Sequence, residues 1–156
     1  MINKNDLVTV VKAASKAGFK NSAKNLELLV WGKGMQTHKP ASLRKGSFAV
    51  YIFELNGIFL KVGKVCGEKN NDRYRSHHYI IKGANSTLAK SLSKHSNYSK
   101  IIGKEKIRDW MLTNINRYNI LIPQSYGKHF VNFVEAFFIL KCNPLFEGRA
   151  SKINPI

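Results

Sequence analysis

Four residues of this 156-residue chain combine a reactive side chain with telling surroundings: Tyr51, Arg73, His77 and Glu135. Glu135 lies within Phe130-Val131-Asn132-Phe133-Val134-Glu135-Ala136-Phe137-Phe138-Ile139-Leu140, a segment that reads as a helix apolar nearly all round. An ionised carboxylate there is costly unless a cation or strong donors receive it. Two partners meet that demand. One is a structural ion pair with a Lys or Arg; the other is a hard divalent cation, which keeps water and phosphate in its remaining positions. Arg73 and His77 stand four apart on an expected helix over 72–81, so they project from one face. A guanidinium can hold two phosphate oxygens, and an imidazole can move a proton near neutral pH. Taken alone, that pair reads better as a solvated basic turn of helix. Tyr51 sits mid-strand among apolar residues, where a phenol either packs with its hydroxyl satisfied or acts on a substrate.

The charge balance points to the kind of molecule such groups would meet. There are 26 Lys plus Arg against 9 Asp plus Glu, a net charge of +17. A surplus of that size on one small domain repels itself unless an anion screens it. Nucleic acid is the expected partner, because each phosphate contact releases condensed counterions. A membrane surface fits less well, since the basic residues are spread along the chain instead of lining one amphipathic helix. No stretch is apolar for long enough to span a bilayer, and the polar start lacks a signal-peptide core. Cys66 and Cys142 are far apart with no CxxC spacing, so neither a disulfide framework nor a cysteine zinc site is expected. These features together predict a cytoplasmic protein. The phosphate-loop spacing, HExxH, GxSxG and HxE…PCxxC are all missing.

The elements that must position these residues can be read from periodicity. Residues 6–17 predict a helix with Leu7, Val10, Val11 and Ala14 on one stripe and Gly18 as its stop. A second helix is expected over Leu26, Leu29, Val30 and Trp31, capped by Asn21 or Ser22. A basic loop then runs to Gly46, which separates an N-terminal extension (1–45) from a main domain (46–156). Residues 48–55 and 58–63 are rich in β-branched and aromatic types around Asn56-Gly57, the mark of a hairpin. Its register is a fork. A two-residue turn sets Tyr51 opposite Val62, with Lys64 on the same face. A three-residue turn, Leu55-Asn56-Gly57, sets Tyr51 opposite Lys61 and is the preferred reading. Helices follow over 72–81, from a Ser86 cap through Leu92, and over 104–113. A strand at 118–122 and a closing helix over 130–141 complete the chain, with Asn143-Pro144 as the final stop. The class is α/β (α+β): a small antiparallel sheet of about three strands, opened by the hairpin and flanked by helices.

This order of motifs resembles the GIY-YIG nuclease superfamily over residues 46 to 150. Ala49-Val50-Tyr51 stands in the place of GIY and Lys61-Val62-Gly63 in the place of YIG. Arg73 with His77 matches the helix after the hairpin, and Glu135 matches the glutamate of the closing helix. Arg75-Ser76-His77-His78-Tyr79, Asn85 to Leu92 and Asn143 to Gly148 are similar to stand-alone members of restriction or phage type. The chain departs from the pattern in that only the tyrosine survives from GIY, Lys61 replaces the tyrosine of YIG, and Glu147 stands near where an asparagine is common. The resemblance implies single-metal hydrolysis of double-stranded DNA. Glu135 would hold Mg²⁺ or Mn²⁺, and Tyr51 would activate water, its phenolate favoured by Lys61 and its proton passed to His77. Arg73 would offset charge on the transition state. Lys64, Arg75, His78, Lys90 and Lys94 are the expected contacts to the DNA backbone, and double-strand cutting with one site per chain suggests a homodimer or sequential nicking. The alternative on the same fold is a module that binds nucleic acid without cutting it.

Overall fold

The computed structural model describes residues 1–19, 25–32, 38–67, 71–82, 87–100 and 106–146. Four antiparallel strands form one sheet: β1 (Glu27–Trp31), β2 (Ser47–Leu55), β3 (Ile58–Val65) and β4 (Asn116–Pro123), in the order β1-β4-β2-β3. Six α-helices are described: α1 (Lys4–Lys16), α2 (Asn71–Arg75), α3 (Leu88–Lys94), α4 (Ser96–Ser99), α5 (Ile107–Asn114) and α6 (Gly127–Cys142). The mixed class with an antiparallel sheet is as expected from the sequence, but the sheet has four strands instead of about three, and the hairpin β2–β3 forms one side of it.

The two inner strands are buried on both faces, which explains their unbroken apolar runs. Phe48, Val50 and Ile52 of β2, with Tyr118, Ile120 and Ile122 of β4, pack under α1 and α6. Ala49, Tyr51, Phe53 and Leu121 point the other way, into a second core closed by α2, α3 and α5. α1 starts from a capping box: the Asn3 side chain accepts from the Asp6 amide while the Asp6 carboxylate accepts from the Asn3 amide. Asp6 also pairs with Lys141 at 2.9 Å, which ties α1 to the end of α6.

Three expectations need correction. The segment around Leu29, Val30 and Trp31 is not a helix but β1, paired with β4 from Glu27↔Leu121 to Trp31↔Arg117. So short a segment, with four apolar residues in a row, suits either state, and here pairing with a distant strand decides it. Residues from the N-terminal extension therefore belong to the main sheet.

The helix expected over 72–81 stops at Arg75. The Ser76 amide and hydroxyl both return to the Asp72 carbonyl, and a 3-10 turn over His77–Tyr79 follows. That break removes the shared face of Arg73 and His77.

The hairpin takes neither register read from the sequence. Asn56 and Gly57 form a two-residue turn, both at positive φ (49° and 87°), with the buried Glu54 carboxylate accepting from the Gly57 amide. A bulge at Leu60 then shifts the pairing, so Tyr51 faces Gly63 and Phe53 faces Lys61. The Ser86 cap lies outside the described residues; the cap seen is Thr87, whose hydroxyl oxygen accepts from the Lys90 amide at 3.0 Å.

Candidate active site

Tyr51 is fully buried, yet its hydroxyl reaches across to the edge strand. A Cβ built on Gly63 lies only 2.5 Å from the Tyr51 hydroxyl oxygen, so the phenol occupies the volume that any other residue at 63 would fill. The tyrosine of the first motif and the glycine of the second thus form one steric unit across the hairpin.

Two side chains hold that hydroxyl. Arg73 Nε donates to it at 3.2 Å from α2. His78 Nε2 lies 2.7 Å away. Burial, with the nearby cations Arg117, Lys61 and Arg73, lowers the His78 imidazole to about 2, so it is neutral. His78 Nε2 shares its hydrogen bond with the Tyr51 hydroxyl, and His78 Nδ1 is buried with no hydrogen-bond partner among the described residues. Burial raises the Tyr51 phenol above its ordinary range, while Arg73 and Arg117 pull it down and Glu135 adds a smaller upward push. Arg73 is exposed, and its two terminal nitrogens make no hydrogen bond among the described residues. They can take two oxygens of a phosphate.

Glu135 approaches from the opposite face of the sheet. It forms an ion pair with Lys64, which lies opposite Val50 and so on the α6 side. The hydroxyl of Tyr51 and the carboxylate of Glu135 therefore converge on neighbouring residues of one edge strand, 63 and 64, from its two sides. The Glu135 side chain keeps 19% of its surface exposed, enough to meet solvent or a ligand. Among the described residues no three of His, Cys, Asp and Glu gather at one point. What Glu135 offers a metal is a single carboxylate. That suits Mg²⁺ or Mn²⁺, which bind through one or two carboxylates with water and phosphate, provided that Lys64 gives way.

The remaining expected site residues divide by position. His77 is half-buried in the 3-10 turn, and the imidazole on the Tyr51 hydroxyl is that of its neighbour, His78. His78 is 1% exposed, so its expected role as a DNA contact is corrected: a duplex cannot touch it. Lys64 is committed to Glu135, whereas Arg75 and Lys94 are exposed and Lys90 is half-exposed. Lys61 is buried on the Tyr51 face, two residues from Gly63, so it neighbours the phenol diagonally instead of facing it. Glu147 lies outside the described residues.

Sequence reasoning passed over Arg117, which has no exposed surface. Its Nε donates to Asn119 Oδ1 at 2.9 Å, Nη1 to the Tyr79 hydroxyl at 2.8 Å and Nη2 to the Tyr74 carbonyl at 2.8 Å. Five aromatic rings surround its guanidinium, from Tyr74 at 4.5 Å to Tyr79 at 6.0 Å. The Tyr79 hydroxyl in turn donates to His38 Nε2 at 2.7 Å, because His38 Nδ1 is spent on the Ile115 carbonyl. The available signal was an arginine at an inward position of a strand otherwise rich in apolar residues.

No family model, no characterised protein and no solved structure matches the chain.

Proposed function

We propose that the protein is a metal-dependent endonuclease of GIY-YIG type that hydrolyses phosphodiester bonds of DNA. The observation that carries this reading is the Tyr51–Gly63–Arg73 unit: a phenol seated over a glycine of the partner strand and bonded to an otherwise free, exposed arginine. Arg73 receives the phosphate through its terminal nitrogens and brings it beside the Tyr51 oxygen. Tyr51, once its own proton has left for solvent past the exposed Arg73, takes the proton of the attacking water, while the neutral His78 orients its oxygen. Arg73 then offsets the charge that builds on the phosphate oxygens. Glu135 is the residue that would hold Mg²⁺ or Mn²⁺; when bound, the ion supplies Lewis acidity and stabilises the leaving 3′ oxygen. The net charge of +17 supports an anionic polymer as substrate.

The test is supercoiled plasmid incubated with the protein and Mg²⁺ or Mn²⁺, with and without chelator. Nicked or linear product is expected, abolished by chelator and slowed by about 10²-fold or more in Glu135→Gln. Intact plasmid, or unimpaired cutting by Glu135→Gln, overturns the catalytic assignment. A second reading, binding without cleavage, is favoured by one observation: the Tyr51 hydroxyl is buried and meets Glu135 only from the far side of the sheet. Plasmid that is retarded in a gel but never cut supports that reading instead.

A further inference from the structure

Arg117 is a buried cation for which no carboxylate partner exists among the described residues. A guanidinium in that position is expensive, and well-packed apolar residues often replace a buried charge with no loss of stability. Packing alone is therefore a poor reason for a buried arginine near the start of β4. Its surroundings suggest a better one. The rings around it belong to Trp31, Tyr51, Phe53, Tyr74 and Tyr79, and three of these carry phenols. The Tyr79 hydroxyl is already taken by Arg117 and His38. The Tyr51 hydroxyl is different: buried itself, it is bonded to Arg73, whose side chain reaches the surface.

We propose that Arg117 is a positioning residue for the candidate active site, the internal positive charge that steadies the Tyr51 oxygen when it gives up its proton. This rests on the hydrolytic reading for its purpose, but the coupling between the two side chains is physical and can be measured without any substrate. The groups acting on the Tyr51 hydroxyl are Arg73 from α2, His78 from the 3-10 turn, Glu135 from α6 and Arg117 from β4, while Lys61 from β3 acts on His78. Arg73 is open to solvent and is neutralised as soon as a phosphate binds it. His78 is neutral, and Glu135 has the wrong sign. Arg117 lies under the Tyr51 ring at 5.4 Å, shielded from both water and substrate, so its charge persists through the reaction. In so dry a place a fixed charge acts more strongly than it does in water.

The experiment places 3,5-difluorotyrosine at position 51, where its phenol ionises at milder pH, and follows the ionisation by fluorine NMR. Arg117→Gln keeps donors for the Tyr79 hydroxyl or the Tyr74 carbonyl and removes only the charge; Arg117→Lys keeps the charge and loses the fork. Arg117→Gln is expected to raise the ionisation midpoint by about one pH unit or more, and Arg117→Lys to leave it near wild type. Equal midpoints in wild type and Arg117→Gln, with the fold intact, overturn the proposal. So does an equal upward shift in both variants, which would mark a packing role. Because the readout needs no cleavage, a protein that cuts no DNA yet shows the shift loses its hydrolytic reading and keeps this coupling.

Discussion

The pairing of Tyr51 with Gly63 places a demand on one atom. Any side chain at 63 must displace the phenol or the strand that carries it, since its Cβ would start 2.5 Å from the hydroxyl oxygen and 2.6 Å from the ring carbon bearing it. Gly63→Ala is expected to cost about 1–3 kcal/mol of stability, the usual range for overpacking a well-filled core. Tyr51→Ala vacates the same space, so the second change should cost far less once the first is made. Urea unfolding of both single variants and the double variant measures that coupling. Additive effects would show that the two residues do not compete for one volume.

At the level of elements, the second core carries two neutral histidines. His38 is lowered to about 4 and His78 to about 2, each chiefly by burial. In the unfolded chain both take up a proton below about pH 6.5. Full stability is therefore present above that pH and declines as pH falls, by about 1.4 kcal/mol per pH unit for each histidine. The contribution of His38 to that decline ends near pH 4 and that of His78 near pH 2. Urea unfolding between about pH 7 and pH 5 should show the loss, and His78→Gln should remove roughly half of the slope. An unchanged slope in that variant would mean that His78 is not buried as a neutral group. Sequence periodicity revealed the hairpin, the strand before Pro123 and the closing helix, because each is a long local run with one pattern. It did not reveal β1, whose five residues suit either state, nor the bulge at Leu60, which leaves no mark in residue type. Tyr51, Arg73 and Glu135 were legible as candidates. The exchange of His77 for His78 was not, since it follows from a helix that ends at Arg75 and gives way to a 3-10 turn.

For the whole molecule, the governing quantity is net charge. A surplus of +17 predicts DNA binding that weakens steeply with salt. With six to ten phosphate contacts, affinity should fall on the order of 10³–10⁵-fold between about 50 and 200 mM salt. Arg75, Lys90 and Lys94 retain exposed surface, and neutralising all three should reduce the logarithmic salt slope by roughly three while weakening different sequences alike. Lys64 is excluded from that set because Glu135 already holds it. Fluorescence anisotropy across a salt series measures the slope, and an unaltered slope would place the duplex elsewhere on the surface. The strand order has a further consequence, for how the chain comes to be folded at all. β4 lies between β1 and β2, yet it is the last strand to leave the ribosome. Until residue 123 has been made, β1 has no neighbour in the sheet and β2 is bare along one side. The nascent protein thus carries a finished hairpin and an orphan strand for as long as the stretch from β3 to β4 is being made, and the sheet closes in one late, long-range step.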